Sequence, residues 1–288
     1  MKRVRQGCLI SPLLFNAIRE CILREVGETL EPEAGPATGG QHIWNLRYAD
    51  DTTLLDNNME RLERTANTLK EASQRFGLKI NENKTHLMST NKDRTISLGA
   101  NHVDKVEKFK YLGAVVTLDA NSSHDVRART AIARTTCTSL IPLWRTSDLS
   151  LRLKKRLVQS LVWSVASYGR KSWTLKKTDC KRLEAFELWV WRRVLRISWT
   201  EHRTNLWVRN KVGVSENKGL LAAIKRRKLA KYGHWKRRPK SLVLATIEGE
   251  IQGKNKQGRR KTGWIDNIRE WSGGMEQANE TARRRQRP

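Results

Sequence analysis

Apolar residues recur every three or four positions along parts of this chain and alternate along others, and the two periods mark out helices and strands. Leu13, Leu14, Ile18, Cys21, Ile22 and Val26 fall at helical spacing behind Ser11, a fair N-cap, and Pro12, suited to the first helical position; Gly27 marks the end. A second stripe runs through Met59, Leu62, Ala66, Leu69, Ala72 or Ser73 and Phe76. Asn57 and Glu60 resemble a capping box before it, and Gly77 stops it. Between the two stripes, after a Pro- and Gly-containing loop over 28–41, two strand-like runs flank an acidic turn. Ile43, Trp44, Leu46 and Tyr48 precede it and Thr52 to Leu55 follow. Leu78 to Ile80 and His86 to Ser89 read as short strands, and Phe109 to Val116 as another, broken by Gly113. The order helix, hairpin, helix, strand, strand predicts an α+β arrangement: an antiparallel sheet with helices on one face.

From residue 119 onward the pattern is mainly helical. Leu151, Leu153, Leu157, Leu161, Val162, Val165 and Ala166 form one stripe; Leu183, Phe186, Val190, Val194 and Ile197 a second; Leu220, Leu221, Ile224 and Leu229 a third. A last short helix holds Trp264, Ile265, Ile268 and Trp271, and Thr204 begins another. The tryptophans at 189, 191, 199 and 207 read as core rather than as base-stacking platforms.

Charge changes this picture most. The net charge is +28 over 288 residues, which calls for a polyanionic partner. It is unevenly spread: residues 1–118 carry +2 and residues 119–288 carry +26. Two functional regions follow, a near-neutral front and a basic back. The four cysteines and six histidines show no metal-ligand spacing, and free thiols suit a reducing, intracellular compartment. No apolar run reaches the roughly 18 residues of a membrane span.

Within the near-neutral front, Tyr48-Ala49-Asp50-Asp51 places two adjacent carboxylates at a hairpin tip. Consecutive strand residues face opposite ways, so two neighbouring acids serve one site only where the chain turns. Two readings stay open from these residues alone: a seat for a divalent cation, which prefers hard oxygen ligands, or a solvated Asx-type turn.

Further motifs appear in order: Arg5-Gln6-Gly7, Ser11-Pro12-Leu13-Leu14-Phe15-Asn16, the Tyr48–Asp51 tetrad, Gly77-Leu78-Lys79-Ile80-Asn81 with Lys84-Thr85, and Tyr111-Leu112-Gly113. In this order and at these spacings they resemble the palm motifs of reverse transcriptases from non-LTR (LINE-type) retrotransposons. Glu184-Ala185-Phe186-Glu187, Trp191-Arg192-Arg193, Arg196 to Thr200, Arg226 to Leu229, Tyr232-Gly233-His234 and Gly258 to Lys261 with Trp264 and Asp266 resemble the C-terminal region of such elements, in the RTE- or jockey-like neighbourhood. The resemblance implies an RNA-directed DNA polymerase. Asp50 and Asp51 would be its catalytic and metal-binding residues, and the cofactor a pair of Mg2+ or Mn2+ ions. Arg5, Gln6, Gly7, Tyr48, Ala49 and Lys84 would line the nucleotide and template, and Leu112 and Gly113 would grip the primer. RNA template and DNA primer are the implied partners.

The family palm also carries an aspartate on a strand upstream of the Gln-Gly motif, at which this sequence starts. The expectation is a fragment inactive alone: a partial palm over 1–118, a thumb-like helical region over 119–215 and a basic C-terminal region over 216–288. The alternative is a non-catalytic RNA- or DNA-binding protein derived from such an element. In either case Lys225, Arg226, Arg227 and Lys228, with Arg259, Arg260 and Lys261, are expected on the nucleic-acid backbone. Lys254 to Lys261 resembles a nuclear localisation signal, which points to the nucleus.

Overall fold

In a computed structural model that describes residues 8–91, 93–238, 241–249 and 260–284, the chain divides into two units. The first comprises Met1–Glu107 with Glu248–Lys256, the second Lys108–Ile247 with Gln257–Pro288.

The first unit is built on two long helices. Helix α1 (Ser11–Glu28) begins one residue earlier than its sequence suggests: Ser11 is helical, Ile10 holds the cap position, and no side chain caps it. Helix α2 (Met59–Arg75) is capped by Asn58 rather than Asn57, its side chain accepting from the backbone N–H of Glu60 and Arg61. The two stripes meet. Ile22, Leu23 and Val26 of α1 pack with Leu69 and Ala72 of α2, and Trp44, Leu54, Leu78 and Ile80 close the cluster. Leu78 to Ile80 therefore contributes core side chains without forming a strand.

The strands of this unit are short: β1 (Ala37–Thr38), β2 (Gln41–His42), β3 (Asn45–Tyr48), β4 (Asp51–Leu54), β5 (His86–Leu87), β6 (Ser97–Leu98), β7 (Asn101–His102) and β8 (Asp104–Lys105). They pair only in twos, β1–β2, β3–β4 and β6–β7 antiparallel and β5–β8 parallel. The α+β class holds, but the expected single antiparallel sheet is a set of separate ribbons. A second small cluster of Leu87, Ile96, Leu98 and Val103 packs beneath Met59, Leu62 and Ala66 on α2.

The second unit opens on a hairpin, β9 (Lys108–Tyr111) and β10 (Ala114–Thr117), with Ala114 opposite Tyr111. The alternating run over 109–116 is thus two strands, folded back at Leu112-Gly113. Helices follow: α3 (Ser123–Ser139), α4 (Ile141–Arg145), α5 (Leu151–Leu157), α6 (Trp163–Ala166), α7 (Lys177–Val194), α8 (Asn205–Val212), α9 (Leu220–Lys236), α10 (Leu242–Glu248), α11 (Trp264–Ser272) and α12 (Met275–Arg284). Between α5 and α6 lies a π-helical turn, Val158–Val162, in which Trp163 N–H bonds Val158 O.

One large core joins most of these helices. Val126, Cys137, Trp144, Val158, Val162, Trp173, Leu183, Phe186, Val190, Trp191, Val208, Leu220 and Ile224 are all buried within it. It runs across the 215/216 boundary, because the start of α9 packs on α7. A smaller cluster around Tyr232, Leu244, Ile265, Ile268 and Ala278 fastens the C-terminal helices. No helix among the described residues is long and apolar enough to cross a membrane.

Candidate active site and nucleic-acid interface

The acidic tip forms as its sequence requires. The register Asn45↔Leu54, Leu46↔Thr53, Arg47↔Thr52 and Tyr48↔Asp51 leaves Ala49 and Asp50 as a two-residue turn. Two-residue hairpin turns need positive φ, and Ala49 adopts φ 48°. Without glycine there, the left-handed conformation costs about 1–2 kcal/mol. The hairpin is fastened from behind: Trp44 and Leu54 sit on the helical core, and Arg47 Nη1 donates to Glu20 Oε2 of α1 at 2.6 Å. Its far end is open. Tyr48, Asp50 and Asp51 are exposed, and neither acid makes an ion pair or side-chain hydrogen bond within the described residues. Two unencumbered carboxylates remain, free to take a cation.

Asp56, close by in sequence, is spent on structure. Its carboxylate accepts Nε and Nη2 of Arg61 at 2.7 and 2.8 Å, and the backbone N–H groups of Asn58 and Gly35. Burial pushes this carboxyl up, but the Arg61 and backbone hydrogen bonds outweigh it and hold the group below its ordinary value. Among the described residues no group of three or more His, Cys, Asp or Glu side chains comes together as a metal site.

The remaining front candidates separate. Lys84 is exposed at the end of a short 3-10 turn, Glu82–Lys84, and its backbone N–H bonds Asn81 Oδ1. Arg5, Gln6 and Gly7 lie outside the described residues, as does Arg259.

Leu112 and Gly113 form a second two-residue turn, with φ 48° and 78°. The space opposite Gly113 is filled by the protein itself. A Cβ there would lie 3.3 Å from both Arg129 and Tyr168 side-chain atoms. Arg129 Nη2 donates to Gly113 O, and Tyr168 Oη to Leu112 O at 3.2 Å. The missing side chain thus admits a guanidinium and a phenol to the turn that the resemblance assigns to the primer grip.

The basic run on α9 divides. Arg226 and Arg227 are exposed, whereas Lys228 is only 1% exposed. Lys228 Nζ donates to Trp173 O at 2.6 Å and Asn267 Oδ1 at 2.9 Å, with the Trp264 ring centroid 4.4 Å away. This corrects its assignment to the phosphate-binding face, which it cannot reach. Burial pushes its amine down to about 7, against which the faces of Trp264 and Trp271 favour the ammonium. Lys154 of the 152–156 run is likewise turned inward, donating to Trp144 O and Thr146 O at the end of α4. Lys225 lies over Trp271 at 5.3 Å, Arg260 approaches Asp266 at 3.9 Å, and Lys261 reaches Asp119 O at 3.5 Å.

Arg226 and Arg227 line a groove of about 340 Å³ with Arg170 and Lys218, two cations that no local run singled out. Their only sequence signal is positive charge beside helix ends. Of the tryptophans, Trp191 is buried, while Trp189 and Trp207 are half-buried under Arg193 and Arg203 respectively.

Comparison with known proteins bears on the same regions. Residues 1–116 match the reverse transcriptase (RNA-dependent DNA polymerase) family. A putative uncharacterized transposon-derived protein of Caenorhabditis elegans is 25% identical over 241 residues, 80% of this chain and 85% of its own length. The retrovirus-related Pol polyprotein from type-1 retrotransposable element R2 of Nasonia vitripennis is 29% identical over 177 residues, 55% of this chain. Its counterpart in Popillia japonica is 25% identical over 188 residues, 61% of this chain. The alignments cover 16% and 26% of these two polyproteins. The chain carries a reverse transcriptase domain and is homologous to proteins of non-LTR retrotransposons.

Proposed function

We propose, from the reverse transcriptase domain at residues 1–116, that this chain is part of the RNA-directed DNA polymerase of a non-LTR retroelement. In this reading it holds a divalent cation and nucleic acid but does not polymerise alone. The observation that carries this reading is the open carboxylate pair, Asp50 and Asp51, at the tip of a hairpin anchored at its base. Among the described residues the two carboxylates are free of arginine and lysine, and such a pair would suit Mg2+, a cation bound through one or two acids together with water and substrate phosphates. When bound, such ions neutralise charge developing on the attacking and leaving oxygens of phosphoryl transfer.

This chain's own residues supply position. Asp50, in the turn, is the principal ligand and Asp51, paired with Tyr48, the second. Tyr48 and Ala49, their neighbours in the hairpin, would lie near the primer end. The reaction of the family draws on a further aspartate, and Asp56 is bound to Arg61 and cannot take that place. In this reading, the described residues bring no third acid to the pair at the tip, and positioning and charge stabilisation by them alone fall short.

Two measurements test the reading. Mn2+ binding by the full chain, followed by water relaxation, is expected to be lost in Asp50→Asn/Asp51→Asn; equal binding by both proteins removes the metal seat. Primer extension on an RNA template with Mg2+ or Mn2+ is expected to give no product, and processive synthesis would overturn the incompleteness. A second reading, a non-catalytic nucleic-acid-binding protein derived from such an element, is favoured by the +26 charge of residues 119–288. It predicts that binding persists without metal and weakens steeply with salt.

A further inference from the structure

The groove beside α9 is built wholly within the second unit. One wall is the stretch from Gln159 to Arg170, which includes the π-helical turn and α6; the other is Lys218 and the first two turns of α9. Four cations converge on it, Arg170, Lys218, Arg226 and Arg227, and within the described residues none is paired with a carboxylate. Gathering four unneutralised cations around one concavity is unfavourable unless an anion occupies it.

Arg170 adds an independent sign. Its Nη1 is committed to Ser167, donating to the backbone O at 2.6 Å and to the hydroxyl. Its Nε is buried and has no acceptor among the described residues. Buried N–H groups are almost always satisfied, so this donor is met by water or by an acceptor the groove binds, and the surrounding cations favour an anion. The α9 N-terminus is not that donor set, because buried Glu187 closes it: Oε2 accepts Leu220 N–H at 2.9 Å, and Oε1 accepts the indole N–H of Trp191. The anion is therefore met by guanidinium groups, which suit the oxygens of a phosphate.

The groove also has an apolar side. Trp163 lines it, held edge-on by Phe186 and Trp191 with ring centroids 5.7 Å apart in each pair, and Ala223 and Ile224 lie on the α9 wall. A volume near 340 Å³ is of the order of one nucleotide, and an apolar wall beside the cations suits an unpaired base or sugar.

We propose that this groove binds one phosphodiester of a single-stranded nucleic acid, with Arg170, Arg226 and Arg227 on the phosphate and Trp163 beside the adjoining sugar or base. The proposal rests on the reading that the chain binds nucleic acid. It is tested with the full chain and a labelled 20-nucleotide single-stranded RNA, titrated across a range of salt. The variant Arg226→Gln/Arg227→Gln is compared with Arg152→Gln/Lys181→Gln, an equal charge change at exposed positions off the groove. The groove variant is expected to bind at least about tenfold more weakly at near-physiological salt, with its salt slope smaller by about 0.7 for the one phosphate no longer neutralised, and the control by under threefold. Equal losses in both variants overturn the groove while leaving nucleic-acid binding intact. No binding by the parent chain overturns both readings. Inorganic phosphate at millimolar concentration is the last arm: little displacement of the RNA is expected. Displacement from the parent chain but not from the groove variant would make this a free-phosphate site and overturn the proposal.

Discussion

Two hairpins in this protein close with two-residue turns that start at the same φ and are supported in opposite ways. Tyr48↔Asp51 and Tyr111↔Ala114 each close a turn whose first residue, Ala49 or Leu112, sits at φ 48°. At the second, every exit is occupied. Arg129 and Tyr168 take the turn carbonyls, and Asp125 Oδ1 accepts Val115 N–H at 3.0 Å while its Oδ2 accepts the Trp173 indole N–H at 2.7 Å. At the first, support stops at Arg47 and the tip is left to solvent. A strained turn persists when its surroundings over-determine it. The 112–113 turn meets that condition through side-chain clamps, whereas the 49–50 turn relies on its strand register and its anchored base. Open strain beside two free acids is what a ligand site presents; clamped strain is what a structural joint presents.

The largest expected effect lies in the clamped joint. Asp125→Ala leaves Val115 N–H and the Trp173 indole unpaired in a buried place and should cost about 3–5 kcal/mol. All tryptophans but Trp44 are in the second unit, so denaturation followed by tryptophan fluorescence reads it there. A loss below 1 kcal/mol would show that the joint is not what holds β10.

Next is the pH dependence set by Lys228. Its amine is pushed from 10.5 to about 7 in the fold, so between these values the unfolded chain binds the proton and the folded chain does not. Stability should rise as pH goes from 7 to 10, by up to ~4 kcal/mol, and this gain is lost as pH falls to 7. Lys228→Met should flatten that slope. An unchanged slope would mean that the Trp264 and Trp271 faces keep the ammonium charged.

The smallest effects are a pair of opposite sign. Gly113→Ala forces a Cβ against Arg129 and Tyr168 at positive φ and should destabilise by about 1–2 kcal/mol. Ala49→Gly relieves its own strain and should stabilise by up to ~1 kcal/mol. The same sign at both positions, in paired melts, would erase the distinction between the hairpins.

Much of this was legible from local pattern. The stripes of α1, α2 and α7 are carried by 3.6-residue spacing, and the acidic hairpin by apolar runs either side of two aspartates. Single-residue chemistry decided less reliably between neighbours: Asn58, not Asn57, caps α2, because only its side chain reaches the free N–H groups of Glu60 and Arg61. The strand expected at Leu78 to Ile80 failed because its apolar residues find a helical core before any strand partner. The groove was illegible because Arg170 and Lys218 reach Arg226 and Arg227 only through folding.

The sequence by itself determined the periodic elements, the charge imbalance between the two parts and the acidic turn, since each depends on residues within a few positions of one another. Tertiary structure decided which charges work at the surface. Lys228 stands on the buried stripe of Leu221, Ile224 and Tyr232, a signal present in the spacing, yet its meaning required Trp173 and Asn267, which lie 55 and 39 residues away. A four-residue run of like charges looks uniform along the chain. Burial divides it, because a helix turns one of its members toward the core and desolvation then changes what that amine can do.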